Sequence, residues 1–73
     1  MEPDKKYQKI IIRVASNIKR IRKQNGLTQE GMTEFGFSYR HFQKIESGKY
    51  SPNLHTLYRV AAALKVDIRD LFE

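Results

Sequence analysis

The sequence predicts an all-α fold, and three observations carry that expectation. Apolar residues recur at helical spacing through most of the chain. Capping residues and glycines punctuate these recurrences, with Thr28, Ser38 and Asn53 at starts and Gly26, Gly36 and Gly48 at ends. No strand-like alternation, internal repeat or low-complexity tract competes with them.

The first segment runs from Tyr7 to Gln24. Ile11, Val14, Ile18 and Ile21 recur in it at spacings of 3, 4 and 3, which is one face of an α-helix. The run Ile10-Ile11-Ile12 is broader than one stripe requires, because neighbours on a helix stand about 100° apart. Ile12 is therefore expected to cover the end of the fifth segment or to meet a partner subunit. Gly26 ends the helix, and Leu27 drops into the core. Thr28 caps a second segment, about Gln29 to Phe35, with Met32 and Phe35 turned inward. Gly36 and Phe37 form a turn. Ser38 then caps a third segment from Tyr39 to about Ser47, which buries Phe42 and Ile45 and stops at Gly48. After a loop holding Pro52, Asn53 caps a fourth segment in which Leu54, Leu57, Ala61 and Leu64 repeat at 3, 4 and 3. A final single turn begins at Asp67 and ends in Leu71 and Phe72. Residues 1–8 read as a basic N-terminal arm and residues 9–73 as one domain centred on residues 28–47.

Composition narrows the chemistry. A domain of 73 residues has a marginal core unless its helices pack tightly or it dimerises. Cysteine is absent, and His41 and His55 are too few and too far apart for zinc, so no metal or other cofactor is expected. The 14 Lys+Arg against 8 Asp+Glu give a formal charge of +6, which favours an acidic partner such as nucleic acid. The first 26 residues carry eight of the basic residues: Lys5, Lys6, Lys9, Arg13, Lys19, Arg20, Arg22 and Lys23. Such a face either tracks phosphates or is simply solvated. Apolar runs are too short for a membrane span or a secretory signal, so a soluble, cytoplasmic protein without a membrane partner is expected. No Ser/His/Asp grouping, paired carboxylates or phosphate-cradling glycine loop suggests an enzyme.

The opening Thr28-Gln29-Glu30, the turn glycine, Ile45-Glu46-Ser47-Gly48, and the register Pro52…Leu54…Thr56-Leu57…Ala61…Leu64 together resemble the lambda-repressor/Cro (XRE-like) helix-turn-helix family. The resemblance covers about residues 14–72. It implies a compact five-helix, lambda-repressor-like DNA-binding domain whose second and third helices form the helix-turn-helix. It also implies sequence-specific binding to double-stranded DNA, usually as a homodimer on a two-fold operator.

Roles then follow by position. Tyr39, Arg40 and Lys44 stand where the family reads bases, and His41 and Gln43 flank them. Arginine suits this work because it can bond guanine O6 and N7 in bidentate fashion. Gln29 resembles the glutamine that bonds a phosphate from a helix N-terminus. Ser38, Ser47, Lys49 and Tyr50 are further phosphate candidates, with Gly48 allowing close backbone approach. Arg22 and Glu46 resemble an ion pair that fixes the angle of the recognition helix. One departure stands out. The family usually sets an Ala-type residue four positions before the turn glycine, and here Thr33 to Gly36 is three. A tighter turn and a re-aimed third helix are the expected result.

The leading functional expectation is an operator-binding transcription regulator, acting either by occupying a promoter, as a repressor does, or by touching RNA polymerase. The alternative is an antitoxin-type module whose main partner is a protein toxin, with DNA autoregulation added. Leu71-Phe72 are expected to close the core or else to form a dimer surface, and the outer face of the fourth helix, Tyr58, Ala62 and Val66, is a further candidate dimer surface.

Overall fold

A computed structural model describes residues 4–73. The first helix, α1, spans Lys5–Gln24, because the Asp4 side chain accepts the Lys6 amide at 2.9 Å and starts the helix there. Residues 5–8 of the expected arm therefore lie in its first two turns, and residues 1–3 lie outside the described residues. At the other end, Gly26 adopts φ +72°, and the amides of Gly26 and Leu27 return to the carbonyls of Lys23 and Arg22. That pair of bonds is a Schellman stop, which glycine makes without a Cβ clash.

Two further α-helices follow, α2 (Tyr39–Glu46) and α3 (Leu54–Leu64). Ser38 caps α2 by accepting the His41 amide, and Asn53 caps α3 by accepting that of Thr56. The second and fifth segments differ from expectation. Glu30–Phe35 and Ile68–Phe72 are short 3-10 helices, so five α-helices reduce to three among the described residues. In the first 3-10 helix the amides of Met32 and Gly36 reach back only three residues, to Gln29 and Thr33. Gly31 is a poor helix former, and the Thr33 hydroxyl donates to the Glu30 carbonyl at 2.7 Å, competing with the backbone ladder.

The core gathers Val14, Ile18 and Ile21 of α1, Met32, Phe42 and Ile45, then Leu57, Val60, Ala61 and Leu64 of α3, closed by Leu71. Three apolar residues expected inside or across the closing turn stay largely outside it: Phe35 is 42% exposed, Leu54 71% and Phe72 43%. Phe37, expected in the turn, enters instead and packs edge-on against Phe42 with ring centroids 5.5 Å apart. The short 3-10 winding ends at Phe35 on the rim, leaving the interior space to the residue after Gly36. On α3 the buried stripe begins at Thr56 and Leu57 rather than at Leu54 and includes Val60, because Leu54 stands at the exposed start of the helix. Ile12 does not cover the fifth segment. It is exposed and lies against Gly48, whose Cβ would stand 3.5 Å from Ile12 Cγ1.

Side-chain amides tie the layers together. Asn25 donates to the Leu64 carbonyl at the end of α3, and Asn17 to the carbonyls of Leu71 and Glu73. These bonds satisfy carbonyls that have no intrahelical partner.

Candidate nucleic-acid interface

The separation of faces on α2 follows from its spacing. Phe42 and Ile45, three residues apart, are buried, which turns Tyr39, Arg40, Gln43 and Lys44 to solvent. Tyr39 is 42% exposed, which leaves its ring open to an outside partner. His41 lies at the flank rather than on the outer face. It is half-buried, its ring 5.8 Å from that of Tyr50 and nearly perpendicular to it, with Nε2 3.5 Å from the Tyr50 hydroxyl. Lys44 Nζ sits 5.8 Å from the same Tyr50 ring, so this tyrosine braces the last turn of α2.

Beyond α2, the Ser47 hydroxyl donates to the Lys44 carbonyl at 2.6 Å and accepts the Lys49 amide at 3.1 Å. Gly48 takes φ +75° between them. Lys49 is exposed at the edge of this turn. Ser38 and Ser47 thus both bond backbone at the two ends of α2; the Ser38 O–H stays free for an outside acceptor, whereas Ser47 has given its hydrogen to Lys44 and keeps only a lone pair.

A buried clamp holds the helix. Arg22 Nε donates to Glu46 Oε2 at 2.6 Å and Nη2 to Oε1 at 3.0 Å, while Nη1 donates to the Leu27 carbonyl at 2.6 Å. The two side chains are 6% and 2% exposed. Gln29 joins them, its amide donating to Glu46 Oε1 at 3.0 Å. Nothing in the sequence points to this last bond, since position in the family pattern gives Gln29 only a phosphate. One amide hydrogen of Gln29 remains for an outside acceptor, so the clamp orients the group rather than consuming it. A second contact absent from the sequence reading pins the turn. Arg59 donates to the Gly36 carbonyl at 3.2 Å and stacks 4.6 Å over the Phe37 ring. Sequence spacing holds no sign of it, since 23 positions separate the partners.

Among the described residues, no cluster of three or more His, Cys, Asp or Glu side chains could hold a metal ion. No helix there is long and apolar enough to cross a membrane.

A layout of two short helices about a glycine turn, with one polar outer face locked to the core, is the frame of a helix-turn-helix domain. Comparison with known proteins agrees. A helix-turn-helix family model matches residues 18–71. An uncharacterized HTH-type transcriptional regulator, y4dJ, of Sinorhizobium fredii is 43% identical over 54 residues, 73% of this chain and 70% of its own length. An uncharacterized HTH-type transcriptional regulator of Methanothermobacter thermautotrophicus is 40% identical over 57 residues, 75% of this chain and 83% of its own length. No solved structure gives a significant match. The chain belongs to the helix-turn-helix family of lambda-repressor/Cro, XRE-like type, a class of DNA-binding transcription regulators.

Proposed function

We propose that the chain is a sequence-specific regulator that reads a two-fold operator as a homodimer, with α2 in the major groove. The observation that carries this is the outer face of α2, where Tyr39, Arg40, Gln43 and Lys44 stand exposed on a helix locked to α1 by the Arg22–Glu46 clamp. A base-reading helix must hold its side chains within a fraction of an ångström, and a bidentate buried ion pair supplies that constraint. Arg40 and Lys44, one helical turn apart, address base edges, and Tyr39 packs on a thymine methyl or donates to a phosphate. Gln29, Ser38, Ser47, Lys49 and Tyr50 line the phosphates on either side.

Dimerisation is supported by size and by exposed apolar surface. A single recognition helix of eight residues reads few base pairs. Leu54 and Tyr58, at 71% and 61% exposure, lie one turn apart on α3, and Ala62 continues their line. A second copy closes this stripe in the operator-binding reading, and a toxin closes it in the antitoxin reading.

Selection of bound duplexes from a randomised library at physiological salt tests the proposal. A two-fold motif with half-sites about one helical turn apart is the expected result. Arg40→Ala should then relax preference at one position per half-site, by about 1–3 kcal/mol for a bidentate contact. Absence of any enriched motif would overturn base reading. Copurification of a small basic protein on the α3 stripe would shift the assignment to the antitoxin-type module.

A further inference from the structure

The charge of this chain is divided unevenly. Residues 25–73 hold six Lys+Arg and six Asp+Glu, so the helix-turn-helix, α3 and the closing turn are together neutral. The whole net charge of +6 comes from the first 24 residues, where eight Lys+Arg face only Glu2 and Asp4. Arg22 is buried and neutralised by Glu46. The other seven, Lys5, Lys6, Lys9, Arg13, Lys19, Arg20 and Lys23, are all exposed. At 3.6 residues per turn they fall on the half of α1 turned away from buried Ile18. None of them enters an ion pair among the described residues.

An ordinary solvated helix face interleaves charges of both signs and gains from i,i+4 pairs. Here the twenty residues of α1 include no acid at all. Lys5–Lys9, Lys9–Arg13 and Lys19–Lys23 are like-charge neighbours at that spacing, which disfavours the isolated helix. A polyanion laid along the face removes the repulsion. The face also begins where the recognition helix ends. Gln8 and Ile12 share one surface hollow with Gly48, Lys49 and Ser51, and the Tyr7 hydroxyl bonds that of Ser51. Lys49, at the edge of the α2 face, thus leads directly to the basic side of α1.

We infer that α1 is a second DNA-contacting surface, which takes the sugar–phosphate backbone of duplex flanking the site read by α2. This rests on the operator-binding reading above and extends it beyond the base-reading helix. The helix is about 30 Å long, comparable to about nine base-pair rises along a strand. Four of its seven cations, Lys5, Lys6, Lys9 and Arg13, precede the segment that matches the helix-turn-helix family model. The neutral recognition half supplies base preference, and α1 supplies most of the counterion release that drives association.

The test is a triple variant, Lys5→Gln, Lys9→Gln and Arg13→Gln, since glutamine keeps helix propensity without charge. Wild type and variant are titrated with the selected site in a duplex trimmed to the motif and in one carrying ten flanking base pairs on each side. Salt is varied in both, and melting curves check the fold. Wild type should bind the flanked duplex more tightly, and the variant should lose that advantage. Its log–log salt slope should fall by about two to three, at about 0.9 for each phosphate no longer neutralised. The affinity ratio between selected and scrambled sites should stay the same. An unchanged slope overturns the inference, and so does a lowered slope with no dependence on flank length. Anionic vesicles retained by wild type but not by the variant, with equal DNA slopes, would give the face to a membrane. If the chain shows no base preference, the slope on mixed-sequence duplex still reads α1, so the two proposals fail separately.

Discussion

The first 3-10 helix and α2 are the two arms of the helix-turn-helix, and they start in the same way. Thr28 Oγ1 accepts the Gly31 amide at 2.9 Å, and Ser38 Oγ accepts the His41 amide at 3.0 Å. Their courses then diverge. α2 buries two large residues, Phe42 and Ile45, and is clamped at Glu46, so its ladder is held in register from both sides. The 3-10 helix buries Met32 alone, and it carries Gly31 and a back-bonding Thr33. A hydroxyl cap starts a helix, while anchors in the core decide whether it winds as a regular α-helix. α2 accordingly owes its orientation to its neighbours more than to its own eight residues.

Cutting the anchors should break the contrast. Phe42→Ala removes the ring on which Phe37 packs and should cost about 3–5 kcal/mol in urea unfolding. Met32→Ala should cost about 2–5 kcal/mol, and less than Phe42→Ala if α2 is the better anchored arm. Equal losses would mean that the two arms share one anchor.

Removing the clamp comes next. Arg22→Met strands the Glu46 carboxylate, 2% exposed, with only the Gln29 amide for company. The expected loss is about 3 kcal/mol or more, because a buried charge is left without its counterion. The double variant Arg22→Met, Glu46→Leu should recover most of that stability yet bind DNA with poorer base discrimination. Full recovery of discrimination as well would show that the pair contributes nothing to aim.

Smaller effects test the caps and the winding. Ser38→Ala should cost about 1 kcal/mol, the usual loss for an N-cap hydroxyl. Gly31→Ala should go the other way, stabilising by less than about 1 kcal/mol through helix propensity. Its new Cβ would stand 3.3 Å from Thr28 Oγ1, an exposed hydroxyl that can turn aside. A drop in melting temperature would mean that the Thr28 cap outweighs the propensity gain.

The weakest effect concerns pH at the closing turn. The backbone amide of Arg69, and then its guanidinium, hold the Asp67 carboxyl below its ordinary range. A group depressed on folding stabilises above its unfolded pKa, and that contribution disappears as pH falls through the folded value. Acidification through the carboxylate range should therefore loosen Ile68–Phe72 slightly, and Asp67→Asn should remove this dependence. Melting curves across that range decide it.

Much of this architecture was legible in the sequence. The core face of α1, the caps at Ser38 and Asn53, the start of the last turn at Asp67, and the left-handed stops at Gly26 and Gly48 depend on residues within one or two turns of each other. Spacing alone separates the outward side chains of α2 from Phe42 and Ile45. The partnership of Arg22 with Glu46, 24 positions apart, came only from family resemblance, because periodicity carries no information across that distance. Where apolar residues sat at an element's end, as with Phe35, Leu54 and Phe72, pattern overstated burial. An end residue keeps the period of its helix but has core on one side only.

What the sequence by itself determined is the helical class, the position of the caps and stops, and the polar composition of the α2 outer face. These follow from backbone preference and from hydrogen bonds that close within a few residues. Tertiary structure decided the rest: the 3-10 winding of Glu30–Phe35, the entry of Phe37 in place of Phe35, and the attachment of Gln29 to the Arg22–Glu46 clamp. Each of these outcomes turns on which group stands across a gap of many positions, and on whether it buries a ring or satisfies a donor. Such contacts form only when the chain closes on itself, and no local pattern encodes them.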